Sequence, residues 1–462
     1  MNTTFWNFIL LLILVNAQLK GNVKKNVLLP IQAWDHGKSV QWYLTLDANW
    51  RWVHYKDNVD NCFANGWVQK YCPDAKKCAE NCMLEGIEQA EYVSSYGISV
   101  SSSALTLRYV TKHTYGENVG SRLYLIGEDQ QTYKGFDFTG KQFSFTVDVS
   151  QVPCGMNGAV YSIEMPLDGG LNQWNKAGAP YGTGYGDAQC AKDITWIGGL
   201  ANLNQSGACS VEMDFWEANR MATAFTPHTC STKGTQMCVT PLQCGDGNQR
   251  YKGWCDKDGA DYNPYRLGNQ SFYGMGSSFA VDTTKPFEVI TQFIAPNGKL
   301  SIMRRFYRQH GKVIYGGEMS DTLIAQRKQK FSETNHFNQL GGMKGMQESF
   351  QRQHVMAFSL WDDVSVSMLW LDSTYPVGSK EPGALRGPCS GKENNAFDLR
   401  KKSPNSQVVY SDFKFGPIES FGHAAQPSQS PRPQPKPSVQ PLPPSPSSSL
   451  PSKSFSCKCT FE

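Results

Sequence analysis

The stretch "CSVEMDFWEANR", residues 209–220, places three carboxylates, Glu212, Asp214 and Glu217, within one short segment interleaved with Phe215 and Trp216. Ionised acids this close repel one another, so the crowding calls for a reason. On a strand, alternation aims Glu212, Asp214 and Trp216 at one face and Glu217 at the other. All three acids can share a face only if the strand gains one residue between 214 and 217, which is what a β-bulge supplies. On a helix, Asp214 and Glu217 would instead be i,i+3 neighbours on a solvated surface. Residue type alone leaves that reading open, and the surroundings have to weigh it.

Those surroundings are period two. In "FSFTVDV", Phe143, Phe145, Val147 and Val149 fall on one face and Ser144, Thr146 and Asp148 on the other. "PFEVITQFIA", "KLSIMRRFY", "HVMAFSLW", "SVSMLWLD" and "QVVYSDFKF" are further strand-length runs between Gly, Asn and Pro turns. The best helical candidate is "CAENCMLEGIEQAEYVSSYG" (78–97), and it is short. Many strands without βα alternation predict an all-β, two-sheet sandwich with long loops. No repeat of propeller or solenoid length is evident.

The 462 residues carry a net charge of +4, with Lys and Arg scattered and no basic stripe, which argues against nucleic acid as a partner. The apolar run Phe8–Val15 before Val15-Asn16-Ala17 reads as a secretory signal peptide cleaved after Ala17, although its start lacks the usual positive charge. It is too short for a membrane span, so after cleavage no membrane association is expected. Fourteen cysteines suit an oxidising compartment, twelve of them between Cys62 and Cys389 and two in a terminal "CKC", Cys457 and Cys459. Paired CxxC spacing is absent and the histidines are isolated, which favours disulfides over zinc, so no metal site is expected. Asn204 and Asn269 each open an Asn-Gln-Ser sequon, compatible with glycosylated loops. From Gln426 to Pro451 ten of 26 residues are proline. That composition predicts an extended tail over 423–462 without a folded module, and an ordered unit over 18–422.

If the three acids converge, the chemistry is specific. Glycosidic cleavage with retention needs two carboxyls about 5–5.5 Å apart, one a nucleophile and one a proton donor. A third acid can orient the nucleophile while burial and negative neighbours keep the donor protonated. Other classes find less support. "YGTGYGDAQC" has no strand–helix context and no P-loop lysine, and neither HExxH nor GxSxG occurs. Two carboxylates and water suffice, so no cofactor is required.

The chain resembles the glycoside hydrolase family 7 cellulases, a family of cellobiohydrolases and endoglucanases. Besides "EMDFWEAN" the likeness is carried by "DANWRWVH" (47–54), "NVGSRLYL" (118–125), "FSFTVDVSQVPCGMNGAVY" (143–161), "YGTGYGDAQC" (181–190), "TPHTC" (226–230), "CDKDGADYNPYRLGNQSFYG" (255–274), "SLWDD" (359–363), "MLWLDSTYP" (368–376) and "GALRGPC" (383–389). It implies a concanavalin A-like β-sandwich, or jelly roll, of two large antiparallel sheets whose concave face carries a glucan cleft or partial tunnel. It also implies Glu212 as nucleophile, Glu217 as general acid/base, Asp214 holding Glu212, and His228 beside the acid/base.

The resemblance further implies aromatic platforms, which suit the apolar C–H faces of glucose. Trp50 and Trp52 would stand towards the far entrance, on one strand face, with Trp361 on the glycone side and Trp370 on the product side. Polar partners carried over are Arg51, Asn118, Arg122, Asn157, Tyr161, Asp187 and Gln189, with Arg250, Asp258 and Arg386 towards the product. The implied disulfides are Cys62–Cys82, Cys72–Cys78, Cys154–Cys389, Cys190–Cys209, Cys230–Cys255 and Cys238–Cys244. Gly186 and Ser210 stand where a further family bridge often lies, and Met83 and Ala260 at other former cysteine positions.

Mode of action divides the family. "IGGLANLNQSGAC" (197–209) is shorter than its tunnel-type counterpart, and "WDDVSVSMLW" lacks tyrosines that tunnel enzymes place after "WDD". The Arg250 loop and "DSTYPVGSKEPGALRGPC" are largely retained, as in cellobiohydrolases. The expectation is a secreted, monomeric cellobiohydrolase acting on cellulose through a partly opened tunnel. An open-cleft endoglucanase, a β-glucanase for other linkages, and a lectin-like glucan-binding protein are the alternatives.

Overall fold

The computed structural model describes residues 18–419, all within one compact unit. Residues 1–17, expected from sequence to be a signal peptide, and the proline-rich tail with Cys457 and Cys459 lie outside the described residues.

Twelve strands form the frame: β1 Leu29–Asp35, β2 Lys38–Leu46, β3 Ser121–Ile126, β4 Lys141–Asp148, β5 Met156–Ile163, β6 Glu212–Ala218, β7 Thr223–His228, β8 Phe287–Ile294, β9 Ile302–Gln309, β10 Lys312–Met319, β11 His354–Asp362 and β12 Gln407–Pro417. Their order is β7-β6-β5-β11-β3-β2-β1-β12-β4-β8-β9-β10, with short strands at Ile98–Ser101, Ala104–Arg108 and Gly135–Phe136 added at the side. Pairing along this path is antiparallel except where β1 meets β12 over Trp34–Lys414 and Asp35–Phe415. That short parallel contact hinges two antiparallel sheets, which fold onto each other as a sandwich.

Alternation supplies the core between them. Phe215 of β6 meets Phe143 of β4 and Phe293 of β8, with ring centroids 5.4 and 5.5 Å apart, and Phe358 of β11 meets Phe413 of β12 at 4.9 Å. Residues facing the other way on the front sheet build a second apolar layer: Tyr124, Ala159, Tyr161, Ile163, Val355 and Ala357 pack with Tyr185, Ile194 and Ile197 of the covering loops. Strand β5 is therefore buried on both faces along its whole length. Burial of aromatic area on this scale, at about 25 cal/mol per Å², is the main favourable contribution to the fold.

Two sequence expectations fail locally. The segment 78–97 is not one helix: helix Ala75–Asn81 gives way to strand Cys82–Leu84 and then helix Gln89–Ser94. Cys78 and Cys82 bond to different partners, Cys72 and Cys62, and Cys82–Leu84 pairs with Val53–Tyr55, so tertiary pairing overrides helix propensity. "SVSMLWLD" is not a strand either. Asp363 accepts from the backbone N–H groups of Ser365 and Val366, turning the chain, and Ser367 and Met368 take left-handed φ of 55° and 57° before helix Leu369–Asp372. Helices Asp321–Lys330 and Gly342–Gln351 lie in a stretch that offered no long amphipathic pattern. The second buries Met343, Met346 and Phe350 on one face.

Among the described residues the sulfur pairs are Cys62–Cys82, Cys72–Cys78, Cys154–Cys389, Cys190–Cys209, Cys230–Cys255 and Cys238–Cys244. They lie chiefly in the loops, closing ring sizes that a short hydrophobic segment could not hold alone.

Candidate active site

Strand β6 carries the acids, and its register shows how they converge. Against β7, Asp214 pairs with Thr226 and Glu217 with Ala224, so Phe215 and Trp216 oppose the single residue Phe225. Against β5, Trp216 pairs with Val160 and Asp214 with Tyr161, which leaves Phe215 unpaired. This bulge turns both Phe215 and Trp216 into the core, where each is fully buried, and brings Glu217 back to the face of Glu212 and Asp214. Trp216 thus points away from the acids, opposite to what unbroken alternation predicts.

Each acid has its own partners. Glu212 accepts from the backbone N–H of Ala188 at 2.9 Å. Asp214 hydrogen-bonds Glu212 and lies 3.0 Å from Nε2 of His228. The His228 Nδ1 is 2.7 Å from the carbonyl oxygen of Asp256, which can only accept, so Nδ1 carries a proton. Glu217 accepts from Asn157 Nδ2 at 2.8 Å, and Asn157 Oδ1 in turn accepts from the N–H of Ala218 at 3.0 Å. The carboxamide of Asn157 therefore bridges the Glu217 side chain to its own strand.

Electrostatically the cluster resists full ionisation. Burial, then the neighbouring Asp214 and Asp187, hold Glu212 well above the usual carboxylate range, with His228 and the Ala188 N–H acting against them. Burial and Glu217 raise Asp214 likewise. Burial pushes Glu217 up to about 7, against the opposing pulls of His228 and Asn157. A carboxyl that keeps its proton near neutral pH is the group a proton-donating step needs. Donor and acceptor atoms of Glu212, Asp214 and His228 fall within 4.8 Å of one another, a set that could hold a cation. However, both ring nitrogens of His228 already face protein oxygens.

Around the acids, Tyr161 places its hydroxyl 3.4 Å from that of Tyr185, which donates to Asp187 at 2.9 Å. Arg122 donates from Nε to Asp47 at 2.8 Å, and its guanidinium lies 3.4 Å from the ring centroid of Tyr185 and 5.4 Å from that of Trp50. Asn118 stands half-buried in a small hairpin, Val110–His113 with Gly116–Val119, where its amide donates to Gly120 O. Trp361 and Trp370 are half-buried neighbours, centroids 6.3 Å apart and tilted by 32°, and Trp370 donates to Asp363. Gln189 is exposed, its amide donating to Lys257 O. Arg250 and Asp258 are each other's partner, with Tyr251 donating to the second Asp258 oxygen at 2.7 Å. Arg386 sits over Asp261 and Glu333, 3.6 and 3.8 Å away. Asn204 and Asn269 are exposed.

Two placements differ from the sequence reading. Arg51 is 5% exposed, and its guanidinium donates to Leu46 O, Asn26 Oδ1, Glu85 O and Thr45 Oγ1. Its donors are spent inside the protein, so it ties loops together instead of meeting a sugar. Trp50 and Trp52 do not share a strand face. Trp50 closes the short 3-10 turn Ala48–Trp50, and Trp52 stacks 4.5 Å from His54 while donating to Asn61. Asp47 caps that turn by accepting from Asn49 N, which diverts the chain from the extended form. The Ala188 N–H and the Asp256 carbonyl were missed, since backbone groups of distant loops leave no side-chain signature.

A sequence model of glycosyl hydrolase family 7 matches residues 29–421. Exoglucanase GH7B of Limnoria quadripunctata is 42% identical over 436 residues, 88% of this chain and 96% of that protein. Among solved structures, a GH7 family cellobiohydrolase from Daphnia pulex superposes with a TM-score of 0.85 at 36% identity, covering 87% of this chain and 100% of that one. A cellobiohydrolase from Melanocarpus albomyces complexed with cellotetraose gives 0.81 at 37% identity, covering 87% and 99%.

Proposed function

This chain belongs to glycosyl hydrolase family 7 and is a glycoside hydrolase, and from that premise we propose that it is a secreted, retaining β-1,4-glucanase that acts on cellulose and releases cellobiose from chain ends. The observation that carries the reading is the bulge in β6, which gathers Glu212, Asp214 and Glu217 on one face with different partners for each.

In the first step the Glu212 carboxylate attacks the anomeric carbon while Glu217 gives its proton to the departing glycosidic oxygen, forming a glycosyl ester on Glu212. In the second, Glu217, now ionised, takes a proton from water. The hydroxide equivalent displaces Glu212, and the configuration is retained. Asp214 orients Glu212 through their shared hydrogen bond, and Ala188 N–H steadies the Glu212 oxygen that is not attacking. His228 sits beside the pair and favours the ionised form of Glu212. Trp361 and Trp370 offer adjacent ring faces for pyranose units, and Arg250, Asp258 and Arg386 offer polar groups towards a leaving disaccharide.

Exo action is supported by the loop Asp372–Cys389, which is retained and tied down by Arg386 N to Ser373 O, Tyr375 N to Ala384 O and the Cys154–Cys389 bond. A second reading, an open-cleft endoglucanase, is favoured by the tight hairpin Trp196–Ile197/Leu200–Ala201, turned by Gly198 and Gly199, where tunnel enzymes carry a longer loop. The test is the product split on insoluble cellulose, with Glu217→Gln as the control. Soluble cellobiose in large excess over new reducing ends on the solid supports exo action. A large share of ends on the solid supports the open cleft. Wild type no faster than the control rejects cellulose hydrolysis.

A further inference from the structure

Behind the acid-bearing strand lies a buried arginine that the reaction as described leaves unused. In β9 the alternation Met303, Arg305, Tyr307 faces the core, and Arg305 is wholly buried. The neighbouring strand β10 bulges there: Arg305 pairs with Gly317 and Phe306 with Tyr315, leaving Gly316 of β10 extra. A Cβ at Gly316 would stand 2.6 Å from Arg305 Cγ and 2.6 Å from Tyr307, so glycine opens the space through which the arginine runs inward. Its guanidinium lies 4.5 Å from the ring centroid of Phe225 on β7 and 5.8 Å from that of Tyr307. Its Nη2 donates to the carbonyl oxygen of Phe215, and the Tyr307 hydroxyl is a further hydrogen-bond partner of the guanidinium.

Phe215 is the residue of β6 that lacks a register partner on both neighbouring strands. A buried backbone carbonyl freed by a bulge needs a donor, and here the opposite sheet provides a charged one. A guanidinium placed in an apolar core without a carboxylate partner is unfavourable, so its presence calls for a role beyond packing. We infer that Arg305 is a positioning residue for Glu217: by holding the Phe215 carbonyl it locks the bulge that turns Trp216 inward and Glu217 into the cleft. This rests on the proposed acid role of Glu217. Relaxation of the bulge would restore simple alternation and swing the Glu217 carboxyl away from the glycosidic oxygen.

The test compares kcat/KM on dinitrophenyl and phenyl β-cellobiosides, because the activated leaving group departs without protonation and the phenol does not. The variants are Arg305→Met, Arg305→Lys and, as reference, Glu217→Gln. Arg305→Met is expected to lose about tenfold or more on the phenyl substrate relative to the dinitrophenyl one, with Arg305→Lys in between. Should Arg305→Met fail to fold, the same ratio is read from Arg305→Lys. Equal losses on both substrates, or none, while Glu217→Gln remains selective, overturn the inference. A Glu217→Gln without leaving-group selectivity overturns the acid assignment itself, a result separate from the Arg305 outcome.

Discussion

His228 stands directly across the register from Glu212, on the neighbouring strand β7, and brings its Nε2 to 3.0 Å from the carboxylate of Asp214. Nδ1 is committed to the Asp256 carbonyl, so a second proton on the ring goes to Nε2, beside the acids. The imidazole lowers both Glu212 and Glu217 by its charge. In His228→Asn both opposing pulls vanish. The two carboxyls rise together, and the bell-shaped profile of kcat/KM against pH moves to higher pH on both limbs. A profile that keeps its limbs and only loses height would reject this electrostatic role.

Asn157 acts on one limb alone. Its hydrogen bond favours the ionised form of Glu217, so Asn157→Leu raises the carboxyl further above its position near 7. The alkaline limb of kcat/KM moves up by about one pH unit, the equivalent of a charge-assisted hydrogen bond. The acid limb, which reports Glu212, stays within about half a unit, and titration of both limbs with a soluble cello-oligosaccharide checks the separation.

Stability carries the same signature with a definite sign. Glu217 titrates near 7 in the fold and, unfolded, near the ordinary 4.5, so between these values the folded chain binds more protons than the unfolded one. Its contribution is therefore present below about 4.5 and is lost as pH rises through about 7. Glu217→Gln removes that loss. The variant gains on the order of 1–3 kcal/mol relative to wild type between pH 5 and 8, read as a difference in Tm measured at the two pH values.

Arg51 separates loop anchoring from sugar binding. Arg51→Met strands the acceptors of Leu46, Glu85 and Thr45 and is expected to lower stability by about 3–5 kcal/mol. KM for a cello-oligosaccharide, measured well below the new Tm, changes less than about threefold. A large rise in KM with unchanged Tm would return Arg51 to the substrate.

Much of this was legible in the chain. Period-two runs such as 143–149 and 407–415 became β4 and β12, because an apolar face buried on a sheet has to repeat every second residue. The requirement for one extra residue between Asp214 and Glu217 followed from the same period, and the register of β6 contains it. The arginine on the apolar face of "IMRRFY" was a signal too, an inward-facing charge between Met303 and Tyr307.

What the chain determined by itself was periodicity, covalent chemistry and the crowding of acids, since these are properties of neighbours in sequence. Only the tertiary structure decided the rest. It turned 365–372 into a turn and helix through the Asp363 side chain, and drew Arg51 into a loop anchor. It also set Arg305 behind Phe215, ninety residues away in sequence. Each depends on which donor meets which acceptor after the sheets close, and buried polar groups are governed by that pairing, not by local propensity.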